Sequence, residues 1–161
     1  MSAAPLASTI SFRAAKAEDA VFLLELYKSS RGDDLRGLGW SEDRISEFLE
    51  MQYAAQQRFY QNDYPGADDK IILLDGEPAG HLITEGRPDE IQFVEIALMT
   101  KHRRAGVGTF VIRGIQDEAR RVSKPLRLQV IRFSRAVPLL ERLGFVRTSE
   151  TGTHFQMEWL P

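Results

Sequence analysis

Cysteine is absent from this chain of 161 residues. Its absence excludes disulfide bonds, zinc thiolate sites and catalysis by a cysteine nucleophile. Histidine is scarce as well, since His81, His102 and His154 lie far apart in the sequence and show no H-x-x-x-H or similar spacing. We therefore expect no metal site in this protein.

Long apolar runs are also missing. No stretch approaches the roughly 20 residues that a membrane-spanning helix needs, and residues 1–8 lack the basic start and the apolar run of a signal peptide. Hydrophobic residues make up 43% of the chain and charged residues 27%, which is typical of a soluble globular domain. Without repeats, low-complexity tracts or a long linker, the sequence predicts a single domain over residues 1–161, in a cytoplasmic protein with no membrane partner.

The charges divide unevenly along the chain. Residues 1–100 hold 9 Lys and Arg against 18 Asp and Glu, whereas residues 101–161 hold 12 against 5. The C-terminal part is therefore suited to a polyanion and the N-terminal part to a cation, although two solvated faces without a functional role would look the same. We expect no nucleic-acid partner, because the net charge is -2 and the C-terminal arginines lack interleaved exposed aromatic residues.

Hydrophobic periodicity and turn signals predict the element order β-α-α-β-β-β-α-β-α-β-β, which implies a mixed sheet flanked by helices. The predicted strands are residues 10–13, 71–74, 79–84, 91–99, 126–131, 145–147 and 154–159. The predicted helices are residues 20–29, 42–61 and 107–121, and a short one that Ser134 caps and Gly144 ends. Ser41 is the predicted cap of the second helix, whereas the glycine-rich stretch from Ser29 to Gly39 is predicted to be a loop.

The segment RRAGVG joins a predicted strand to a predicted helix. The first turn of a helix exposes free N–H groups with partial positive charge, and Gly106 and Gly108 let a phosphate approach them. Lys101, Arg103 and Arg104 add positive charge beside these amides. A pyrophosphate is the natural ligand of such a turn, although R-x-x-G-x-G alone is a weak motif. The P-loop motif and the third glycine of G-x-G-x-x-G are both absent.

R-x-x-G-x-G after a strand, followed by the segment AVPLLERLGF at residues 136–145, resembles the GNAT superfamily of N-acyltransferases. The usual family form is [QR]-x-x-G-x-[GA] and then A-x-x-L-Y-x-x-x-G-F. The resemblance implies the GNAT fold of the α/β (α+β) class, with a mixed, mostly antiparallel sheet of about seven strands flanked by about four helices. It also implies transfer of an acetyl group from acetyl-CoA, as cosubstrate, to a primary amine of a small molecule or peptide, without a metal, and it is compatible with a homodimer.

The resemblance places cofactor-binding residues at the end of the fourth strand, in the turn and at the start of the last helix. They are Leu98, Met99, Arg103, Arg104, Ala105, Gly106, Val107, Gly108, Thr109 and Ser134. By analogy, the strand segment Ile96 to Met99 splays from its neighbour and the pantetheine arm binds there like an added strand. Phe133 and Ser134 would contact the rest of that arm, at a point where the family often has Asn.

Glu95 and Leu98 are the predicted catalytic residues. The family often places a carboxylate on this strand, so the resemblance makes Glu95 the candidate general base, with Glu85 in reserve. The N–H near Leu98 would polarise the thioester carbonyl. The alternative is that Glu95 faces solvent or fixes a neighbouring backbone group. The family tyrosine that protonates the departing coenzyme A falls at Leu140, which has no proton to donate; the possible substitutes are Tyr27, Tyr53, Tyr60 and Tyr64.

In this family the acceptor lies between the N-terminal helices and the sheet. The corresponding positions here are Ser29 to Trp40 and the face that carries Gln52 and Gln56. We expect Asp33 and Asp34 to attract a cationic amine and Trp40 to stack on it. Leu140 leaves a second interpretation open, in which the same fold is a non-catalytic acyl-CoA-binding sensor.

Overall fold

The computed structural model describes residues 9–102 and 106–161, without the side chains of residues 33 and 34. The described residues form seven strands and four α-helices. The strands are β1 (Ile10–Ala14), β2 (Asp68–Leu74), β3 (Glu77–Gly86), β4 (Ile91–Leu98), β5 (Leu126–Ile131), β6 (Val146–Glu150) and β7 (His154–Trp159). The helices are α1 (Ala20–Arg36), α2 (Glu42–Asp63), α3 (Val107–Val122) and α4 (Ala136–Arg142). The predicted element order and fold class are confirmed.

The seven strands form one mixed sheet in the order β1-β2-β3-β4-β5-β7-β6. All neighbours are antiparallel except β4 and β5, which run parallel. Their pairing is limited to Ile91 with Leu126 and Gln92 with Arg127. The sheet therefore consists of two antiparallel groups that are joined over two residue pairs and then diverge.

The larger core lies between one face of the sheet and the helices α3 and α4. The apolar residues of α3 recur at helical spacing and are buried against the sheet: Val107, Val111, Ile112, Ile115 and Ala119. Leu126 and Leu128 of β5 meet this stripe from the sheet. This packing fixes the first turn of α3 beside the end of β4.

Helices α1 and α2 form the second cluster, in which Tyr27, Ile45 and Leu49 are buried. Helix α1 packs against β3 and β4. The predicted cap of α2 is confirmed, because the Ser41 hydroxyl accepts a hydrogen bond from the Arg44 N–H at 3.2 Å. The two helices thereby cover β4 over the stretch where it leaves β5.

The predicted loop from Ser29 to Gly39 is wrong as far as Arg36, because α1 continues through it. Leu35 packs against the cluster between α1 and α2, and this tertiary contact outweighs the low helix propensity of the stretch. Gly32 is buried, and a Cβ at this position would lie 3.2 Å from the Arg36 guanidinium, so the glycine leaves room for that side chain. The chain turns at Gly39, whose φ of +83° suits glycine.

Several strand ends also differ from the prediction. β2 begins at Asp68 rather than at residue 71, and β6 continues to Glu150 rather than ending at residue 147. All residues of β6 are exposed, so its extent is set by pairing with β7 and leaves no apolar pattern in the sequence. Helix α4 begins at Ala136, and the Ser134 hydroxyl accepts a hydrogen bond from the Ala136 N–H at 3.1 Å.

Gly80 lies at a close approach of β3 to β4. A Cβ on this residue would lie 2.4 Å from the Ala97 carbonyl oxygen, and neither backbone can withdraw without breaking the pairing. We expect Gly80→Ala to lower the free energy of unfolding by about 1–3 kcal/mol, the cost of overpacking. Urea denaturation measures this, with Gly86→Ala as the control, since nothing lies within 4 Å of a Cβ there. Equal destabilisation by both variants would contradict the steric explanation.

Candidate active site

The divergence of β4 from β5 opens a cavity of about 190 Å³, the site cavity. Its walls include Glu95 and Ile96 of β4, Val130 of β5, and Ser134 and Leu140 from the last helical segment. Residues of α1 and α2 complete the lining on the other face of the sheet: Arg31, Gln56 and Tyr60. The structure thus brings five residues that the sequence singled out into one cavity: Gln56, Tyr60, Glu95, Ser134 and Leu140.

The backbone at Leu98 faces the space between the two strands. The Met99 N–H donates to the Ala79 carbonyl at 2.9 Å, and the Ala97 carbonyl points at Gly80, so both of these groups face β3. Successive residues of a strand direct their backbone groups to opposite sides. The Leu98 N–H therefore points away from β3 and toward the gap, as its predicted role at a thioester carbonyl requires; that role stays a prediction.

A β-bulge sets the orientation of Glu95. Ile83 pairs with Glu95 and Thr84 pairs with Phe93, so Val94 is an extra residue in β4. Residues three apart in a regular strand point to opposite faces, yet Phe93 and Ile96 both pack in the α3 core. The bulge reconciles these positions and turns the Glu95 side chain to the face covered by α1 and α2.

The surroundings of Glu95 favour proton uptake. The carboxyl group is partly accessible from the site cavity, but protein encloses it closely and this burial raises its pKa. Positive charge on Arg31, and then on His81, partly opposes the rise of the pKa. His81 is itself buried, with Nε2 2.6 Å from Asp69 Oδ1. A carboxyl group with a raised pKa can accept a proton close to neutral pH.

Glu85, the second candidate for the general base, makes structural contacts instead. It is buried, and its carboxylate accepts hydrogen bonds from the Gly66 N–H at 2.8 Å and from Arg87 Nε at 2.6 Å. These contacts tie the segment that precedes β2 to the end of β3. Glu85 does not line the site cavity, so the structure favours Glu95 as the base.

Among the four tyrosines, Tyr60 alone lines the site cavity. Tyr27 and Tyr53 pack on each other with ring centres 5.2 Å apart, and Tyr64 lies beneath the Arg87 guanidinium. Burial, and then the charge of Glu95, raise the pKa of Tyr60 well above its usual value. Tyr60 is therefore a weak acid, and Leu140 in the same cavity has no proton to donate.

The first turn of α3 leaves backbone N–H groups without an acceptor in the helix, and their predicted role at a pyrophosphate stays a prediction. Gly106 precedes the helix with a φ of +82°, and the first intrahelical bond joins the Phe110 N–H to the Gly106 carbonyl at 3.0 Å. The amides of Val107, Gly108 and Thr109 consequently have no acceptor within the helix. Leu98 Cδ1 would lie 3.6 Å from a Cβ at Gly108, which places this turn beside the end of β4. Arg103, Arg104 and Ala105 lie outside the described residues.

The predicted acceptor residues are only partly at the site cavity. Gln56 lines it, whereas Gln52 is exposed. Trp40 does not line the site cavity and is packed edge-on against Phe48 and covered by the Arg44 guanidinium at 3.8 Å, so the structure gives no support to its predicted stacking on the acceptor. The side chains of residues 33 and 34 lie outside the described part of the chain. Phe133, predicted to contact pantetheine, is 89% exposed.

The sequence profile of the acetyltransferase (GNAT) family matches residues 33–145, which is more than half of the chain. The chain belongs to the GNAT acetyltransferase family. The match spans α2 to α4 of this acetyltransferase, and with them the β4–β5 gap and the start of α3. No curated protein sequence matches it at a significant level.

Solved structures of the same fold cover nearly the whole acetyltransferase. The PaiA N-acetyltransferase from Thermoplasma acidophilum in complex with coenzyme A is 17% identical, with a TM-score of 0.72 over 95% of this chain and 99% of that chain. The ribosomal-protein-S18-alanine N-acetyltransferase from Escherichia coli is 18% identical, with a TM-score of 0.65 over 94% of each chain. At such identities the likeness establishes the fold alone.

Two further observations concern the part of this acetyltransferase that the structure describes. In residues 9–102 and 106–161, no helix has both the length and the hydropathy to cross a bilayer. Across the same residues, no group of three or more His, Asp or Glu side chains is placed to hold a metal ion.

Proposed function

We propose that this GNAT acetyltransferase transfers an acetyl group from acetyl-CoA to the nitrogen of a primary amine. The observation that carries the proposal is the separation of β4 from β5 after two residue pairs, which opens the cavity at Glu95 and leaves the Leu98 N–H without a partner on β5. The family membership supports acyl transfer, and the fold shared with the Thermoplasma N-acetyltransferase in complex with coenzyme A supports the donor.

The proposed donor site extends from the β4–β5 gap to the first turn of α3. The pantetheine arm would pair with the backbone of Leu98 along the gap and pass Ser134 at the cavity wall, whereas the Met99 N–H already donates to Ala79. The diphosphate would accept hydrogen bonds from the amides of Val107, Gly108 and Thr109, at the positive end of the helix. Arg103 and Arg104 precede this turn and add two positive charges to it.

The proposed reaction needs few protein groups. The amine nitrogen attacks the thioester carbonyl carbon, a C–N bond forms, the C–S bond breaks, and the coenzyme leaves as a thiolate. Glu95 accepts the proton that the nitrogen loses, directly or through a water molecule. The Leu98 N–H donates to the carbonyl oxygen as negative charge grows on it. Because a thiol has a pKa of about 8.5, the thiolate leaves without an acid in place of Leu140.

A thiol-release screen tests this proposal. Purified protein is incubated with acetyl-CoA and polyamines, amino acids, aminoglycosides or peptides with free N-termini, and free thiol is measured. We expect release that depends on one amine class, with an equal amount of N-acetylated product by mass spectrometry. Binding of acetyl-CoA without amine-dependent release from any class would overturn the enzyme assignment and favour the sensor.

A further inference from the structure

Arg31 is a cation in the cavity that also holds Glu95. It lies in the C-terminal half of α1, the stretch that the sequence predicted to be a loop, and it lines the site cavity beside Gln56 and Tyr60. Its guanidinium carbon is 4.0 Å from the centre of the Tyr27 ring. Stacking of this kind holds the plane of the guanidinium and leaves the N–H groups at its edge free to donate.

Arg31 has no carboxylate partner among the described residues, where no carboxylate oxygen lies within 4.0 Å of its nitrogens. Its one hydrogen bond runs from Nη1 to the Ser30 hydroxyl at 3.3 Å, so most of its five N–H donors remain available. Other arginines of this chain are paired with acids: Arg13, Arg87, Arg127, Arg132 and Arg147. A half-buried guanidinium that is held in place without an acid among the described side chains is suited to an acid from outside the chain.

Arg31 and Glu95 together give the site cavity one positive and one negative wall. They are not in contact, since the nitrogens of Arg31 are more than 4.0 Å from the Glu95 carboxylate, yet the positive charge of Arg31 partly opposes the rise that burial causes in the pKa of Glu95. The space between them can therefore receive a molecule with both an amine and an acid. A guanidinium binds a carboxylate with two parallel hydrogen bonds, which also orients that molecule.

We infer that Arg31 binds the carboxylate of the acetyl acceptor, and that the acceptor is a free amino acid whose amine nitrogen lies at Glu95. This inference rests on the proposed function, because it assigns the amine to the same base. It replaces the expectation of a purely cationic acceptor drawn by Asp33 and Asp34. Polyamines lack the carboxylate altogether, and a peptide N-terminus carries an amide where Arg31 requires an acid.

The test compares each protein-forming amino acid that has a primary amine with its own carboxamide, which differs only at the group assigned to Arg31. The readout is kcat/KM for acetyl transfer by wild-type protein and by Arg31→Gln. We expect Arg31→Gln to lower the ratio of acid to amide by about 10- to 100-fold for the preferred amino acid, the range that charge-assisted hydrogen bonds supply. The carboxylate assignment is decided by the change in this acid-to-amide ratio between wild type and Arg31→Gln. The intrinsic pKa of each amine and any effect of Arg31 on Glu95 cancel from that change.

Arg58→Gln is the matched control, since Arg58 is an exposed arginine of α2 outside the site cavity, and it should leave the ratio unchanged. Acetyl transfer with the same ratio in wild type and Arg31→Gln would overturn the carboxylate assignment and leave the proposed function standing. If no amine is acetylated, the proposed function fails, and calorimetric titration of the coenzyme A complex with the same pairs still decides the site. If the wild-type protein binds the amino acid and Arg31→Gln abolishes that binding, the carboxylate assignment is supported. If the wild-type protein does not bind it, the carboxylate assignment is overturned.

Discussion

Replacing Gly108 with glutamate is expected to weaken coenzyme A binding by about 100-fold or more, measured by isothermal calorimetry. A carboxylate in the first turn of α3 would occupy the place of the diphosphate and repel it, at amides that have no acceptor within the helix. The fold should survive, because a Cβ at Gly108 meets its nearest side-chain atom, Leu139 Cδ2, at an ordinary 3.4 Å.

Two variants separate charge from bulk in this experiment. Gly108→Ala adds only the Cβ and should retain most of the affinity, and the family pattern allows alanine at this position. Gly114→Glu places the same carboxylate on the same helix, at an exposed position where nothing lies within 4 Å of a Cβ, and should bind normally. Unchanged coenzyme A affinity in Gly108→Glu would remove the first turn of α3 from the donor site.

Glu95→Gln is expected to lower kcat by about 100- to 1,000-fold while coenzyme A affinity stays close to that of wild type, since general-base catalysis contributes this order of magnitude. The base works when it is deprotonated, so wild-type kcat/KM should fall as the pH falls through the pKa of Glu95, which burial holds above its usual value. The variant should lose the part of this acidic limb that Glu95 contributes and keep the part that protonation of the amine contributes. Wild-type activity in Glu95→Gln from about pH 6 to 9 would exclude Glu95 from the mechanism.

Glu95→Gln should raise the stability of the protein although it lowers the activity. Because the pKa of Glu95 is higher in the folded protein than in the unfolded chain, the folded state binds more protons between the two values. Wild-type stability therefore falls as the pH rises through this window. We expect Glu95→Gln to raise the Tm at pH 8, since it removes a buried charge. Glu85→Gln is the contrast, because it breaks contacts to Gly66 and Arg87 and should lower the Tm yet keep the acidic limb.

Local sequence patterns were sufficient to predict those helices and strands whose own residues show a clear periodicity or cap. The apolar spacing of α3, the alternation of β5 and the serine before α2 each predict the structure that is observed. The gap between β4 and β5 has no such signal, because it depends on where two distant segments stop pairing. It was expected only from the family resemblance.

The features that most affect the acceptor side were not visible in the sequence. The bulge at Val94 is a matter of register with β3, and no residue type marks it. The continuation of α1 depends on contacts of Leu35 with α2, whereas the glycines nearby favoured a loop. Arg31 was missed for this reason, since a loop prediction gave no reason to place its side chain beside Glu95.

The junction between the two halves of the sheet has a consequence for the lifetime of the protein. With only two residue pairs holding β4 to β5, the α3 core supplies the cohesion between the two halves of the sheet, and a donor bound in the gap would add to it. A ligand that binds only the folded state stabilises it in proportion to the logarithm of its concentration. Resistance to heat and to proteolysis should therefore rise and fall with the supply of the acetyl donor.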